Sequence, residues 1–192
     1  VSDFEYTDPA NPSYDRGNCP FNRSHIGNFT LGYVTPEFGN SVVRAIPSDW
    51  RVTGILNAQS GNWLTVTTTS DPALTGIPGQ RVNQVSDDPY GDKSLTNYLN
   101  AASFAIPAAG TLGDHPARSI LGPGYWKVDT ALARVLRLDN ARSLELRVEV
   151  FNLFNNFNWG DPTTSINSPT FGQITTQNGD SRIMQFAIKY AF

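Results

Sequence analysis

Residues 182–192 read Arg-Ile-Met-Gln-Phe-Ala-Ile-Lys-Tyr-Ala-Phe. In an extended chain Met184, Phe186, Ile188, Tyr190 and Phe192 share one face. Gln185, Ala187, Lys189 and Ala191 share the other, and only Ile183 breaks the pattern. Alternation with a period of two is the signature of a β-strand. Termini of soluble domains are commonly loose and polar. An aromatic-ended strand with one apolar face suits a barrel whose outer surface meets lipid and whose inner surface is polar. The same residues also suit the last strand of a soluble β-sandwich, so the rest of the chain has to decide.

Five further segments alternate. In 24–34, Phe29, Leu31 and Tyr33 oppose Asn28 and Thr30. In 49–59, Trp50, Val52, Leu56 and Ala58 oppose Arg51, Thr53, Asn57 and Gln59, with Ile55 as the exception. Residues 63–69 are rich in Thr and Val, which favour strands. In 125–138, Trp126, Val128, Leu132, Leu136 and Leu138 oppose Lys127, Asp129 and Arg137, while Arg134 breaks the pattern. In 142–154, Leu144, Leu146, Val148 and Val150 alternate with Glu145, Arg147 and Glu149. Residues 129–138 contain good helix formers. Strand is the better assignment, because 142–150 has no amphipathic helical face and pairs naturally with it.

Turn-forming residues at 60–62 and 139–141 predict two tight hairpins. The other connections, 35–48, 70–124 and 155–181, are long. In an up-and-down sheet this predicts short turns at one end and long loops at the other, as bacterial outer-membrane barrels have. Loops longer than about 15 residues are uncommon in compact domains and usually functional.

Composition narrows the field. Charged residues make up 16% and the net charge is −3, which excludes a polybasic nucleic-acid binder. Aromatic residues at 11% and sparse charge argue against a disordered chain. The one cysteine, Cys19, cannot form an internal disulfide. No apolar run reaches the roughly 18–20 residues of a spanning helix, and barrels need none. The chain starts at Val1 with no leader pattern, so a mature or truncated product is expected.

Several blocks then resemble one family, in the expected order. They are Phe21-Asn-Arg-Ser-His25, Gly54-Ile-Leu-Asn-Ala-Gln-Ser-Gly61, Leu121-Gly-Pro-Gly-Tyr-Trp-Lys-Val-Asp129, Leu146-Arg-Val-Glu-Val-Phe-Asn-Leu-Phe-Asn155 and Ser168-Pro-Thr-Phe-Gly-Gln-Ile174. The run from Glu149 to Asn155, taken with Phe192, is the most specific. Together they resemble TonB-dependent outer-membrane receptors, especially those with a carboxypeptidase-regulatory-like extension. The resemblance implies a barrel of about 22 strands around a plug. This chain supplies about six strands, with no plug and no energy-coupling box, so residues 1–192 are expected to be a C-terminal barrel segment. It implies localisation in the bacterial outer membrane and energy-coupled nutrient uptake rather than catalysis. The implied partners are the rest of the barrel and plug, the TonB system, outer-membrane lipid and a small-molecule or oligosaccharide ligand. Phe186, Ile188, Tyr190 and Phe192 would form the assembly signal.

Catalytic signatures are missing. There is no nucleophile elbow, phosphate loop, zinc-protease motif or cysteine pair. His25 follows Ser24 and His115 follows Asp114, which leaves a hydrolase as one alternative. Cys19 beside Pro20 reads as an incidental thiol. No cofactor or metal is expected, although Asp87, Asp88 and Asp92 supply oxygen donors of the kind calcium takes. Lys127, Asp129, Glu145, Arg147 and Glu149 are expected to face the lumen. They would line either a substrate or plug contact or a water-filled, salt-bridged interior. Trp63, Tyr90, Tyr98 and Phe104 could stack on sugar rings or pack within their loop. Trp126 and Trp159 suit an aromatic interface girdle or a core. The expectation is therefore an all-β segment of an up-and-down transmembrane barrel. A soluble carbohydrate-binding sandwich is the other alternative.

Overall fold

The computed structural model describes residues 7–19, 21–36, 48–139 and 141–192. Most of the expected loop 35–48, Asn140 of the second tight turn and Pro20 beside Cys19 lie outside them. The chain divides into two compact units. The first comprises residues 1–24, 60–124 and 159–178; the second comprises residues 25–59, 125–158 and 179–192.

The second unit is one antiparallel sheet of five long strands. These are β1 (Ile26–Val34), β2 (Trp50–Gln59), β7 (Tyr125–Arg137), β8 (Ser143–Phe151) and β9 (Ile183–Ala191), in the spatial order β1-β2-β7-β8-β9. Long strands that are consecutive in sequence are neighbours in space, which is an up-and-down arrangement. Each has 9 to 13 residues, close to the roughly 9–11 that cross a bilayer at a tilt. Residues 125–137 are strand rather than helix, because they bond to β2 on one side and β8 on the other.

The registers align the alternation of all five strands. Asn28 faces Asn57 and Asn57 faces Lys127. Ala131 faces Glu149 and Glu149 faces Gln185. One side of the sheet is thereby polar. The opposite side carries Phe29, Leu31, Tyr33, Val52, Leu56, Trp126, Leu132, Leu146, Met184, Phe186, Ile188 and Tyr190, all of them exposed. Among the described residues, no second layer of the unit covers this apolar side, and only Ala133 among the sheet's apolar side chains is buried. The strands on the two outer edges, β1 and β9, each have one paired neighbour.

Two expectations need correction. Six strands were expected, but residues 63–69 contribute only the short β3 (Trp63–Leu64), which pairs with β6 (Ile120–Leu121) in the first unit. Residues 60–62 therefore do not close a hairpin, since β2 pairs with β1 and β7. Gly61 serves a close backbone approach instead. A Cβ there would collide with the Gly122 carbonyl, and the Gly122 amide donates to the Asn62 carbonyl at 2.8 Å. The second correction concerns the ends of the sheet. By register, the connection 35–49 leaves the same end as the short turn 138–142, while 60–124 and 152–182 leave the other. The last strand still runs from the end of the two longest connections towards the short turn.

The first unit holds the buried core: Val66, Val82, Tyr98, Leu99, Phe104, Ile120 and Ile174. Among the described residues, regular structure there is limited to β3 with β6, β4 (Asn83–Gln84) with β5 (Phe104–Ala105), and 3-10 turns at Pro12–Asp15 and Ala101–Ser103. Backbone groups without ladder partners are bonded by side chains, as buried polar groups require. The Asn167 carbonyl oxygen accepts from the Thr69 amide at 2.8 Å and the Thr68 hydroxyl at 2.7 Å. The Gln80 amide donates to Asp71, Thr75 and the Ile77 carbonyl.

Candidate functional site

The five charged residues expected to share a face do so. Lys127 and Asp129 form an ion pair at 2.8 Å along β7. On β8, Arg147 lies between Glu145 at 3.4 Å and Glu149 at 3.2 Å. Ala133 and Ala187 flank Arg147 across the ladders, so small neighbours leave room for its guanidinium to reach both carboxylates. Lys189 faces Glu145 from β9. These pairs are open to solvent, where each contributes about 0–1 kcal/mol. They make a hydrophilic wall of mixed sign rather than a rigid charged site.

At the end of the long connections the polar face holds two adjoining clefts that share Tyr125 and Lys127. One, of about 450 Å³, is lined by Ile26, Asn28, Asn57, Ala58, Gln59, Tyr125 and Lys127. The other, of about 270 Å³, adds Asn152, Asp180, Ser181 and Gln185. The wall beside them is fixed by an asparagine knot. β8 ends because Asn152 takes a positive φ of 52°. Its amide nitrogen Nδ2 donates to the carbonyls of Asn156 and Asp180, both at 3.0 Å, and its Oδ1 accepts from the Asn156 amide at 2.9 Å. Its backbone amide donates to Asp129 at 2.9 Å, and Asn158 binds both backbone groups of Trp126. Four asparagines within 152–158 are the sequence signal that could have identified this knot.

The aromatic residues proposed for sugar stacking have a different setting. Tyr98 and Phe104 are buried in the core of the first unit, and Tyr90 packs against it. Tyr90 and Tyr98 meet edge to face at 5.9 Å, and both hydroxyls donate to the Leu121 carbonyl. Burial pushes the Tyr98 hydroxyl up to about 12, assisted by Tyr90 and Asp161. Phe104 lies between His115 at 5.4 Å and Phe171 at 5.8 Å. Trp63 sits in β3, half-buried, and its Nε1 has no hydrogen-bond partner among the described residues. Tyr90, Tyr98 and Phe104 thus serve packing rather than an open stacking platform. Trp159 also packs on this core, and so is not part of a girdle.

Trp126 is exposed on the apolar side of the sheet, 6.0 Å from Phe154. Tyr33 and Trp50 lie towards the opposite end of that side, and Tyr190 stacks on Phe192 at 5.8 Å. Aromatic residues thus mark both ends of an apolar band. The levels of Trp126 and Trp50 are eight residues apart on β7, since Trp50 faces Arg134. That is roughly 26 Å along the strand, or roughly 20 Å once tilted, of the order of the apolar band of a membrane barrel.

The remaining candidates have structural settings. His115 is fully buried, with Nδ1 2.9 Å from Gln84 Oε1. Burial, and then the nearby Arg81, push it down to about 4. Asp114 accepts from the Gln84 backbone amide and makes no contact of this kind with His115. Asp88 and Asp92 accept from the backbone amides of Tyr90 and Ser94 within their own turns. Among the described residues, no group of three or more His, Cys, Asp or Glu side chains could hold a metal ion. Cys19 is exposed.

The family described as an outer membrane beta barrel domain matches residues 2–185. No curated protein and no solved structure matches the chain. The uncovered apolar side of the sheet, which water would penalise, is what lipid requires. The chain therefore belongs to the outer membrane beta barrel domain family, and its place is the bacterial outer membrane.

Proposed function

We propose that the chain supplies wall strands and outer connections of a TonB-dependent receptor that takes up a nutrient with energy coupling. The observation that carries this is the pairing of a solvated, mixed-charge inner face with the two longest connections leaving the same end of the sheet. The sequence run from Glu149 to Asn155 and the aromatic residue Phe192 add the family resemblance. The remaining strands, the plug and the energy-coupling segment come from outside this chain. The inner face then forms part of the lumen wall, the long connections lie at the external mouth, and β9 is the strand read during assembly.

A soluble sandwich would need a second sheet over the apolar side, and the described residues of that unit form only one sheet. A hydrolase gains no support from His115, which is buried against Gln84 and Phe104. Deletion of the host's TonB protein tests the receptor function. Growth on the nutrient that induces expression, and uptake of its radiolabelled form, should fall to the level of a strain lacking this gene. Uptake unchanged without TonB, or after collapse of the proton gradient, would refute energy coupling.

A further inference from the structure

The two clefts around Tyr125 and Lys127 have a distinct chemistry. Asn28 and Asn57 lie directly opposite one another on β1 and β2, and Gln59 faces Tyr125. Gln185 enters from β9. The side chains of these four amides take no hydrogen bond within the protein among the described residues. Asn62, Gln80, Asn158 and Asn167, and Asn152 at the border of the second cleft, are committed to internal bonds. Asn28, Asn57, Gln59 and Gln185 are left uncommitted.

Charge is nearly balanced here. Lys127 is paired with Asp129 at 2.8 Å and Asp180 lines the second cleft, so the few charges present are of both signs. Carboxamides present a donor and an acceptor side by side, which matches a pair of neighbouring hydroxyl groups. Tyr125 adds an aromatic ring, and Gly179, with φ of 84°, lets the chain run close beside it. The larger volume of about 450 Å³ lies within the range of small-ligand sites, roughly 300–1,000 Å³.

We infer that this amide-lined cleft on the polar face is a binding subsite for an uncharged, polyhydroxylated ligand, an oligosaccharide segment. It deepens the receptor function proposed above and rests on it. The site differs from Tyr90, Tyr98 and Phe104, which lie in or against a packed core, and from Trp63, half-buried in β3. Neutral sugars gain affinity from directional hydrogen bonds and ring contact, and the cleft offers both, with its one cation, Lys127, already paired to Asp129.

The test uses the complete receptor purified in detergent, with titration calorimetry against maltohexaose, cellohexaose and xylohexaose, and hexalysine and hexaglutamate as charged controls. Binding of at least one hexasaccharide, and of neither control, is expected. Asn57→Ala and Gln185→Ala should each weaken it about 2- to 10-fold, the size of one hydrogen bond, and Tyr125→Ala by about 10-fold. Both amide positions are solvent-facing, and heat-modifiable gel mobility verifies folding of each variant. Failure of all three sugars to bind, equal binding by a charged control, or affinity unchanged in all three variants overturns the inference. TonB-dependent uptake of a non-saccharide nutrient would overturn it while leaving the receptor function intact. Sugar binding without TonB-dependent uptake would do the reverse.

Discussion

Phe186 and Gln185 are neighbours in sequence on opposite sides of β9, and replacing each with arginine separates lipid from lumen. Phe186 lies near the middle of Ile183–Ala191, opposite Val148, and is 74% exposed. Its ring therefore has little protein contact to lose, and its surroundings are whatever solvent covers the sheet. If that solvent is hydrocarbon, Phe186→Arg loses about 2 kcal/mol of apolar burial. It adds about 2–4 kcal/mol for a cation near the bilayer midplane, for a total of about 4–6 kcal/mol. Gln185→Arg places the same cation opposite Glu149 on the wet side and should change stability by less than about 1 kcal/mol. A gap of about 4 kcal/mol corresponds to roughly a thousandfold difference in the folding constant. Urea titration of the membrane-embedded protein, followed by heat-modifiable gel mobility, measures it. Equal midpoints for the two variants, or a lower midpoint for Gln185→Arg, would refute the assignment of faces.

Three further outcomes follow from named contacts. Removing Phe192, which stacks on Tyr190, should cut the amount of folded protein in the outer membrane several-fold with synthesis unchanged; normal levels would show that the aromatic end is not read during assembly. Asn152→Ala removes three side-chain hydrogen bonds, each about 1 kcal/mol, and forces alanine into a left-handed conformation that costs about 1 kcal/mol more. A loss of about 3–4 kcal/mol is expected in the same titration, Asn152→Gly should recover the backbone part, and a loss under about 1 kcal/mol would show the knot to be dispensable. His115, shifted down from 6.5 to about 4, should make the first unit acid-sensitive. Below pH 6.5 the unfolded chain takes up a proton that the folded site refuses, so stability is full above 6.5, declines towards about 4 and then levels off. The protection factor of the His115 amide, bonded to the Val82 carbonyl, should fall as pH drops through that range, and His115→Gln should abolish the dependence.

The sequence by itself determined the strands and their two faces. Side chains alternate across a strand whatever its partners. The polar set Lys127, Asp129, Glu145, Arg147 and Glu149 could thus be read from local order, as could the apolar set ending in Phe192. Strand ends were legible within a few residues, except at 63–69, where only Trp63–Leu64 is strand, and where Asn152 stops β8 through a bond network rather than a turn motif. Tertiary structure alone decided which strands meet. Ser60, Gly61 and Asn62 have hairpin composition, yet Gly61 lies against Gly122 and Asn62 bonds to Asp161, 99 residues away. The exposure of aromatic residues was equally hidden. Tyr98 and Phe104 have the composition of a stacking surface, but Leu121, His115 and Phe171 arrive from distant segments to enclose them. The amide cleft needed Asn28, Asn57, Tyr125 and Gln185 brought together from four strands. Alternation is a property of one strand, whereas enclosure and convergence depend on contacts between segments far apart in the chain, which local pattern does not encode.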